Sequence, residues 1–354
     1  MHGAFVFLAL SAALQAEAQS PTRFFANLKA GKPQTLVAFG TSLTAGGAWV
    51  GLTDKYLKER FPGLAAVNNE GASGHSSKYG LQIIHNVTRH KPDLVLIEFC
   101  MNDSYYPERD GFKEGVTVAG SLANLGSIVD SIKAVNPACE ILLQTMDLPL
   151  GIHRVRRPKV EEYHAGYREF AKARGFGLID HALRWQAVLA FDTALYVSWL
   201  PDSIHPSAAG SGAITFPAVV AALAGNNLAL ESPAAGAVFP PGTAIQMRAA
   251  ISQPAGEPAG QVDFFQGKTR LGQGQGTPAV FAWAGAAQGR YLVMARLMAG
   301  ETAVAISDLR AVEVKAGSRI AGQGNRNATA ARLSPRSTPV QPGFWLGRRS
   351  ATSR

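Results

Sequence analysis

The chain has 354 residues, of which 47% are hydrophobic and 17% are charged, and its formal net charge is +9. This length can bury at least one full hydrophobic core and suggests two domains. Residues 316–354 contain seven arginines but no lysine or acid, so only +2 of the charge belongs to the rest of the chain. A nearly neutral folded part excludes nucleic acid as an expected partner. The arginine-rich tail at 316–354 is predicted to be disordered.

Residues 1–18 have the pattern of a secretory signal peptide. An apolar segment runs from Gly3 to Leu14, and Ala16-Glu17-Ala18 supplies small residues at a cleavage site. No other segment is long and apolar enough to span a bilayer. We therefore expect an exported protein, secreted or periplasmic, without a membrane span.

Strand and helix patterns alternate from residue 34 to about residue 223. The predicted strands are Thr35–Phe39, Ala65–Asn69, Asp93–Phe99, Glu140–Met146 and Phe176–Asp180. The predicted helices lie between them, at about 49–61, 77–89, 117–135, 160–174 and 181–191. Such alternation predicts a parallel, three-layer α/β sheet within residues 19–225. Ligands of these sheets bind at the carboxyl ends of the strands.

Residues 228–315 have a different pattern, with short alternating runs separated by glycine and proline. The runs lie at 244–251, 261–266, 279–284, 290–297 and 303–314, and no segment has a pattern of helix length. This spacing predicts a small all-β sandwich of about seven strands.

The two cysteines, Cys100 and Cys139, are not expected to form a disulfide, although export would permit one. Cys100 follows the third predicted strand, and Cys139 precedes the fourth. In parallel neighbouring strands these positions lie at opposite edges of the sheet, roughly 15 Å apart. That separation exceeds the reach of a disulfide.

Ser42 follows the first predicted strand and precedes a helix pattern, so its hydroxyl is expected beside a helix N-terminus. A serine nucleophile needs a base within hydrogen-bond reach. His205 is the best candidate, and Asp202 comes three residues before it, where one tight turn can bring its carboxylate to the imidazole. That contact would hold the imidazole in the required tautomer and stabilise its charged form.

The same strand ends offer donors for an oxyanion. The candidates are the backbone N–H groups of Ser42 and Gly71 and the side-chain amide of Asn102. Each segment alone also fits an ordinary turn or helix cap.

His75, His153 and Trp199 lie in segments expected to flank the site and are weaker candidates for substrate contact. No cluster of His, Cys and acidic residues has metal-ligand spacing, so neither a metal nor a cofactor is predicted.

Four segments in this order resemble the blocks of the SGNH/GDSL hydrolase superfamily, which is named after its Ser, Gly, Asn and His. Ser42, Gly71, Asn102 and His205 match those positions, and Asp202 matches the family's Asp-x-x-His. The resemblance covers residues 34–223. It implies a flavodoxin-like α/β/α sandwich, ester or thioester hydrolysis through an acyl-serine, and the three oxyanion donors named above.

Two positions depart from the family pattern. The first block usually reads Gly-Asp-Ser, but this chain has Thr41, which can still bond to the local backbone. The third block usually has glycine two residues before the asparagine, where this chain has Cys100. We expect the thiol to narrow the floor of the site near Asn102, and both changes to bear on substrate choice more than on activity.

The segments Glu231–Phe239 and Val262–Gly272, with Phe281-Ala-Trp283 and Gly289–Leu292 after them, resemble bacterial immunoglobulin-like modules appended to secreted enzymes. The resemblance implies a spacer, or attachment to a cell surface or glycan, for residues 228–315. This resemblance is looser than that of the first domain.

The chain is therefore expected to be a secreted serine esterase acting on a small-molecule or polysaccharide ester. Export and the appended region favour short acyl esters, among them O-acetyl groups on carbohydrate, by association only. Three alternatives remain open. They are a lipid or aryl ester hydrolase of lysophospholipase or thioesterase type, acyl transfer to a sugar hydroxyl, and an inactive carbohydrate-binding or adhesion protein.

Overall fold

The computed structural model describes residues 20–106, 116–257 and 260–316. The predicted signal peptide at 1–18 and all of the predicted tail except Ala316 lie outside the described residues. The helices are α1 (Arg23–Lys29), α2 (Ser42–Ala45), α3 (Ala48–Arg60), α4 (Ser77–Gln82), α5 (Ile84–Thr88), α6 (Cys100–Asp103), α7 (Val118–Val135), α8 (Gly151–Arg156), α9 (Val160–Arg174), α10 (His181–Phe191), α11 (Thr193–Trp199), α12 (Ala208–Gly210) and α13 (Phe216–Ala224), with a π-helical turn at Ser211–Thr215. The strands are β1 (Gln34–Gly40), β2 (Ala65–Asn69), β3 (Leu94–Glu98), β4 (Glu140–Thr145), β5 (Gly177–Asp180), β6 (Asn227–Ser232), β7 (Val238–Phe239), β8 (Ile245–Ser252), β9 (Gln261–Gln266), β10 (Thr269–Gln273), β11 (Ala279–Trp283), β12 (Gly289–Ala299), β13 (Thr302–Ile306) and β14 (Arg310–Val314).

The first five strands form one parallel sheet in the order β2-β1-β3-β4-β5. This is the flavodoxin-like order, in which the chain reverses its direction of winding beside β1. The predicted flavodoxin-like α/β fold is confirmed. The topology brings the carboxyl ends of β1, β2 and β3 together at one edge of the sheet.

Each face of this sheet has its own hydrophobic cluster, because alternate side chains of a strand point to opposite faces. Leu36 and Ala38 of β1 belong to the cluster that contains α1, α3 and α13. Val37 and Phe39 belong to the cluster beneath α7 and α9. Apolar residues on both faces explain why the strands read as nearly continuous hydrophobic runs.

The predicted strands and helices of this part agree with the structure to within one or two residues, with one exception. The helix expected at 77–89 is divided into α4 and α5. The division falls at Ile83, whose backbone leaves the helical conformation with φ −103° and ψ 13°.

The C-terminal part consists of two β sheets. One has the order β10-β9-β12-β14-β7, with β13 also paired to β12, and the other has the order β11-β8-β6. The described residues therefore contain more strands than the seven expected. The predicted run 303–314 is divided into β13 and β14, which pair with different parts of β12.

The two parts of the chain share a hydrophobic core. Helix α13 ends at Ala224, Gly225 follows with φ 74°, and β6 begins at Asn227. One continuous cluster includes Leu223 of α13 together with apolar residues of β6, β8, β9 and β12 to β14. The last helix of the α/β part is thus covered by the β part.

Cys100 and Cys139 are both buried and free. They stand at opposite ends of the paired strands β3 and β4, as their positions in the sequence predict. Among the described residues, no helix is both long and apolar enough to cross a membrane.

Candidate active site

The candidate site lies at the carboxyl edge of the α/β sheet. Ser42 is the first residue of α2, immediately after β1, and Thr41 caps that helix by accepting a hydrogen bond from the backbone N–H of Leu43 (3.2 Å). Gly71 and Asn102 follow β2 and β3. The first N–H groups of a helix have no acceptor within the helix, so the Ser42 N–H is a candidate donor at this edge.

A continuous hydrogen-bonded chain joins Ser42, His205 and Asp202. Ser42 Oγ lies 2.8 Å from His205 Nε2, and His205 Nδ1 lies 2.6 Å from Asp202 Oδ2. A carboxylate can only accept, so Nδ1 carries the proton and Nε2 is left to accept from the serine hydroxyl. The structure therefore brings the three predicted catalytic residues together, with His205 oriented as a base toward Ser42.

The turn from Asp202 to His205 holds the carboxylate in place. Asp202 Oδ1 accepts from the backbone N–H groups of Ile204 (3.1 Å) and His205 (2.7 Å). Partial burial opposes ionisation, but these bonds and the imidazole outweigh it and lower the pKa of Asp202. Asp202 is thus ionised at neutral pH. Ser203 takes a left-handed backbone conformation in the turn, with φ 70°.

The side chains of His205 and Asp202 are open to solvent. The side chain of His205 is 43% exposed, and that of Asp202 is 53% exposed. The triad therefore lies at the protein surface.

Asn102 is buried, and both ends of its side-chain amide are bonded. Nδ2 donates to the backbone carbonyl of His75 (3.0 Å), and Oδ1 accepts from Arg157 (3.1 Å). Because Nδ2 carries two hydrogens, one N–H of this amide remains for an oxyanion.

Gly71 lies against the end of α2, where a side chain has no room. A Cβ at this position would stand 2.2 Å from the backbone nitrogen of Ala45. The Gly71 N–H donates to Asn69 Oδ1 (3.0 Å), and Asn69 Nδ2 donates to the carbonyls of Thr44 (3.0 Å) and Ala45 (3.2 Å). Asn69 thus ties this loop to α2, and the Gly71 N–H would have to be shared or released to bind an oxyanion.

Thr41, where the family usually has Asp, rests on a buried acid that the sequence analysis did not single out. Glu98 ends β3, and its Oε1 accepts from the Thr41 N–H (2.6 Å), the Thr41 hydroxyl (3.0 Å) and the Thr44 hydroxyl (2.7 Å). Burial raises the pKa of Glu98 to about 7, although these hydrogen bonds act in the opposite direction. The signal in the sequence was an acid at the end of an otherwise apolar strand.

Two expectations about this region are corrected by the structure. The Cys100 thiol is fully buried in the cluster beneath α7 and α9, so it does not line the floor of the site. Trp199 is only 2% exposed and packs edge-on against Trp185, with ring centroids 6.2 Å apart. It is a core residue, since burial of this indole leaves no surface for substrate.

The two histidines proposed as substrate contacts both lie beside the triad or its donors. The His75 carbonyl accepts from Asn102, and its ring stacks on Tyr79 at 3.8 Å. His153 belongs to α8. Burial, followed by the positive charge of Arg157, lowers its pKa, and the negative charge of Asp202 acts in the opposite direction. Substrate contact by either ring stays a prediction.

Sequence reasoning also missed Arg157 and Asp147. Arg157 follows α8 and is buried against Met101 and Asn102. Asp147 follows β4, and neither of its carboxyl oxygens has a hydrogen-bond partner in the described residues. Burial raises the pKa of Asp147 well above its usual range. An acid directly after an apolar strand could have marked Asp147, whereas Arg157 lies in a run of basic residues that reads as surface.

No group of three or more His, Cys, Asp or Glu side chains suited to a metal ion occurs in the part of the chain that the structure describes.

No curated protein sequence matches the chain. Solved structures similar to it include acetylxylan esterase Axe2 from Geobacillus stearothermophilus, at 22% identity and a TM-score of 0.47, covering 55% of this chain and 95% of that one. Another is LAE5, an α/β hydrolase enzyme from the metagenome of Lake Arreo, Spain, at 21% identity and a TM-score of 0.43, covering 54% of this chain and 95% of that one.

One known protein family matches the part of the chain that contains every candidate catalytic and oxyanion-hole residue. Residues 38–213 match the model described as the GDSL-like Lipase/Acylhydrolase family, and this range includes Ser42, Gly71, Asn102, Asp202 and His205. The family match and the hydrogen bonds of Ser42, His205 and Asp202 point to the same site. This chain therefore carries a domain of the GDSL-like lipase/acylhydrolase family and is a serine esterase.

Proposed function

We propose that the protein hydrolyses short acyl esters, such as O-acetyl groups on carbohydrate, through an acyl-serine intermediate. The observation that supports this proposal most is the Ser42–His205–Asp202 chain, with His205 and Asp202 about half exposed at the surface. A surface triad suits an ester group that projects from a polar polymer. A deep apolar cavity would suit a long acyl chain better.

The geometry supports the following sequence of steps. Ser42 Oγ attacks the carbonyl carbon while its proton passes to His205 Nε2, and the carbonyl oxygen becomes an oxyanion. The N–H of Ser42 and the amide of Asn102 stabilise that charge, with the Gly71 N–H as a third donor if Asn69 releases it. His205 then gives its proton to the departing alcohol oxygen as the ester bond breaks.

Water completes the cycle. His205 takes a proton from the water molecule as its oxygen attacks the acyl carbon. The acid product leaves when Ser42 regains its proton from His205. Ionised Asp202 stabilises the charged imidazole in both halves, and no step draws on a cofactor.

Export and attachment are further parts of the proposal. The pattern at residues 1–18 supports export to the periplasm or the medium. The immunoglobulin-like assignment of residues 228–315, and a role for them in surface or glycan attachment, stay predictions.

One observation favours a second candidate, a lipid or aryl ester hydrolase. On α8, beside His153, the side chains of Ile152 and Val155 are 56% and 47% exposed. Exposed apolar residues at the rim of a site could contact an acyl chain.

Ser42→Ala tests the proposed function, and a substrate series separates the two candidates. We expect wild-type protein to cleave p-nitrophenyl acetate and fully acetylated glucose, and p-nitrophenyl octanoate less efficiently. Ser42→Ala should lower kcat by at least about 1,000-fold. Ser131→Ala, a serine on α7 that bonds to the Ser127 carbonyl, should leave the rate unchanged and serves as the matched control.

Equal inactivity of wild type and Ser42→Ala on all these esters would refute the hydrolase proposal and favour a binding protein. Higher kcat/KM on the octanoate would favour a lipid ester. Formation of an acylated sugar from an added acceptor sugar would show acyl transfer.

A further inference from the structure

Arg157 holds the segment that carries Asn102. Its Nε donates to the backbone carbonyl of Met101 (2.7 Å), and one terminal nitrogen donates to Asn102 Oδ1 (3.1 Å). Its guanidinium also lies over the ring of Tyr105, 5.0 Å from the centroid. A buried arginine that donates hydrogen bonds to two adjacent residues holds both of them in a defined geometry.

This contact decides which way the amide of Asn102 faces. A guanidinium has donors only, so the atom that it meets must be the amide oxygen, and the nitrogen must lie on the other side. That nitrogen donates one hydrogen to the His75 carbonyl (3.0 Å). With both ends of the amide held, the second hydrogen of Nδ2 has a fixed direction.

We propose that Arg157 is a positioning residue of the oxyanion hole, which fixes the Asn102 amide so that its remaining N–H meets the substrate carbonyl oxygen. This inference rests on the proposed function, in which Asn102 supplies an oxyanion donor. A preorganised donor contributes more to catalysis than one that must reorient during the reaction, because no reorganisation accompanies the build-up of charge.

The guanidinium of Arg157 stays charged in its buried position. Burial lowers the pKa of Arg157 to about 10, which still leaves it a cation at neutral pH. A charged donor on Oδ1 draws electron density from the amide and makes the opposite N–H a better donor.

A purely structural role would be the competing explanation, since Arg157 also binds the Met101 carbonyl and packs on Tyr105. The two explanations differ in their kinetics. Misplacing a donor that acts only in the transition state lowers kcat and leaves KM nearly unchanged. Loss of structure instead lowers the fraction of folded protein, and it does so equally in the wild-type and Asn102→Ala backgrounds.

The test is a double-mutant cycle of Arg157→Met and Asn102→Ala on p-nitrophenyl acetate. We expect Arg157→Met to lower kcat by roughly 10- to 100-fold and to change KM by less than about twofold. In the Asn102→Ala background, the same change should cause no further loss, because the amide that Arg157 orients is gone.

Arg157→Lys provides a second variant in case Arg157→Met does not fold. Lysine keeps the charge but lacks the fork that reaches Met101 and Asn102 together, so it should also lower kcat only when Asn102 is present. Arg154→Met is the matched control, since Arg154 lies on α8, the helix that Arg157 follows, and bonds to Glu161 (2.8 Å). It should keep wild-type kinetics.

Independent losses that multiply in the double variant would overturn the proposal, as would an Asn102→Ala variant with wild-type kcat. Neither result would affect the proposed hydrolase function, which the Ser42→Ala experiment tests separately.

Discussion

At the scale of single residues, Glu98 holds the turn that carries the nucleophile through hydrogen bonds from Thr41 and Thr44. Three donors from Thr41 and Thr44 converge on one of its oxygens, and Thr41 directly precedes Ser42, the first residue of α2. The group is fully buried, and burial raises its pKa to about 7. Thr41 suits this environment because a hydroxyl can donate to the acid and still cap the helix. An ionised Asp at position 41 could not donate to the acid.

The pKa of Glu98 leads to a prediction about stability and pH. The unfolded chain releases this proton near pH 4.5, whereas the folded protein keeps it until about pH 7. Glu98 therefore makes folding less favourable as pH rises through that window, by about 3 kcal/mol in total. Glu98→Gln resembles the protonated acid in shape and has no proton to lose, so we expect it to remove this part of the pH dependence.

Urea unfolding of wild type and Glu98→Gln between pH 4 and 8 would measure the effect. The difference in unfolding free energy should grow in favour of Glu98→Gln up to about pH 7 and then level off. Glu59→Gln, a change at an exposed helix position, should follow wild type across the range. A difference that does not vary with pH would contradict the assignment of this pKa.

At the scale of elements, the catalytic turn and helix α8 support each other. The Leu150 N–H, just before α8, donates to the Ser203 carbonyl (2.9 Å) in the turn between Asp202 and His205. Arg157 at the other end of α8 binds Asn102. One short helix therefore connects the base of the triad with a donor of the oxyanion hole.

Ser203 makes the geometry of the turn testable. Its φ of 70° is a left-handed conformation, which glycine adopts freely and a β-branched residue adopts at high cost. Ser203→Gly should keep kcat/KM close to that of wild type. Ser203→Val should destabilise the turn by roughly 1–2 kcal/mol and displace His205 from Ser42. Thermal unfolding and kcat/KM measurements on the two variants test this expectation. Equal stability and equal kcat/KM for Ser203→Gly and Ser203→Val would count against a strained turn.

At the scale of the whole molecule, the β part contributes to the stability of the catalytic part. Besides the core shared with α13, the buried carboxylate of Glu257 pairs with Lys29 of α1 (3.2 Å) and Arg60 of α3 (3.0 Å). Arg184 of α10 donates to the carbonyls of Ile306 and Ser307. The esterase domain thus uses the β part as a covering layer on one side.

Glu257→Gln tests this coupling. Removing the carboxylate leaves two cations without their shared partner in a partly buried place, and we expect a loss of about 1–3 kcal/mol. The exposed Lys55–Glu59 pair within α3 provides the comparison, because Glu59→Gln should change stability by less than about 0.5 kcal/mol. Thermal unfolding would measure both, and equal effects would argue against a stabilising contact.

Much of the fold and of the triad was predictable because the signals are local. Strands β1 to β5 are short apolar runs, and their alternation with helices allows few topologies. Ser42, Gly71 and Asn102 each directly follow a strand, so parallel packing places them at one edge of the sheet. Asp202 and His205 lie three residues apart, close enough for a single turn to join them.

The remaining features depend on contacts between residues far apart in sequence. The sequence alone determined the α/β fold, the strand ends that carry Ser42 and Asn102, and the Asp202–His205 pair, because periodicity and spacing encode them. Only the tertiary structure decided that Trp199 is a core residue, that Arg157 holds the Asn102 amide, and that α13 is covered by β strands. Burial and hydrogen-bond partners are properties of packed elements, and neither periodicity nor spacing records which side chains the packing brings together.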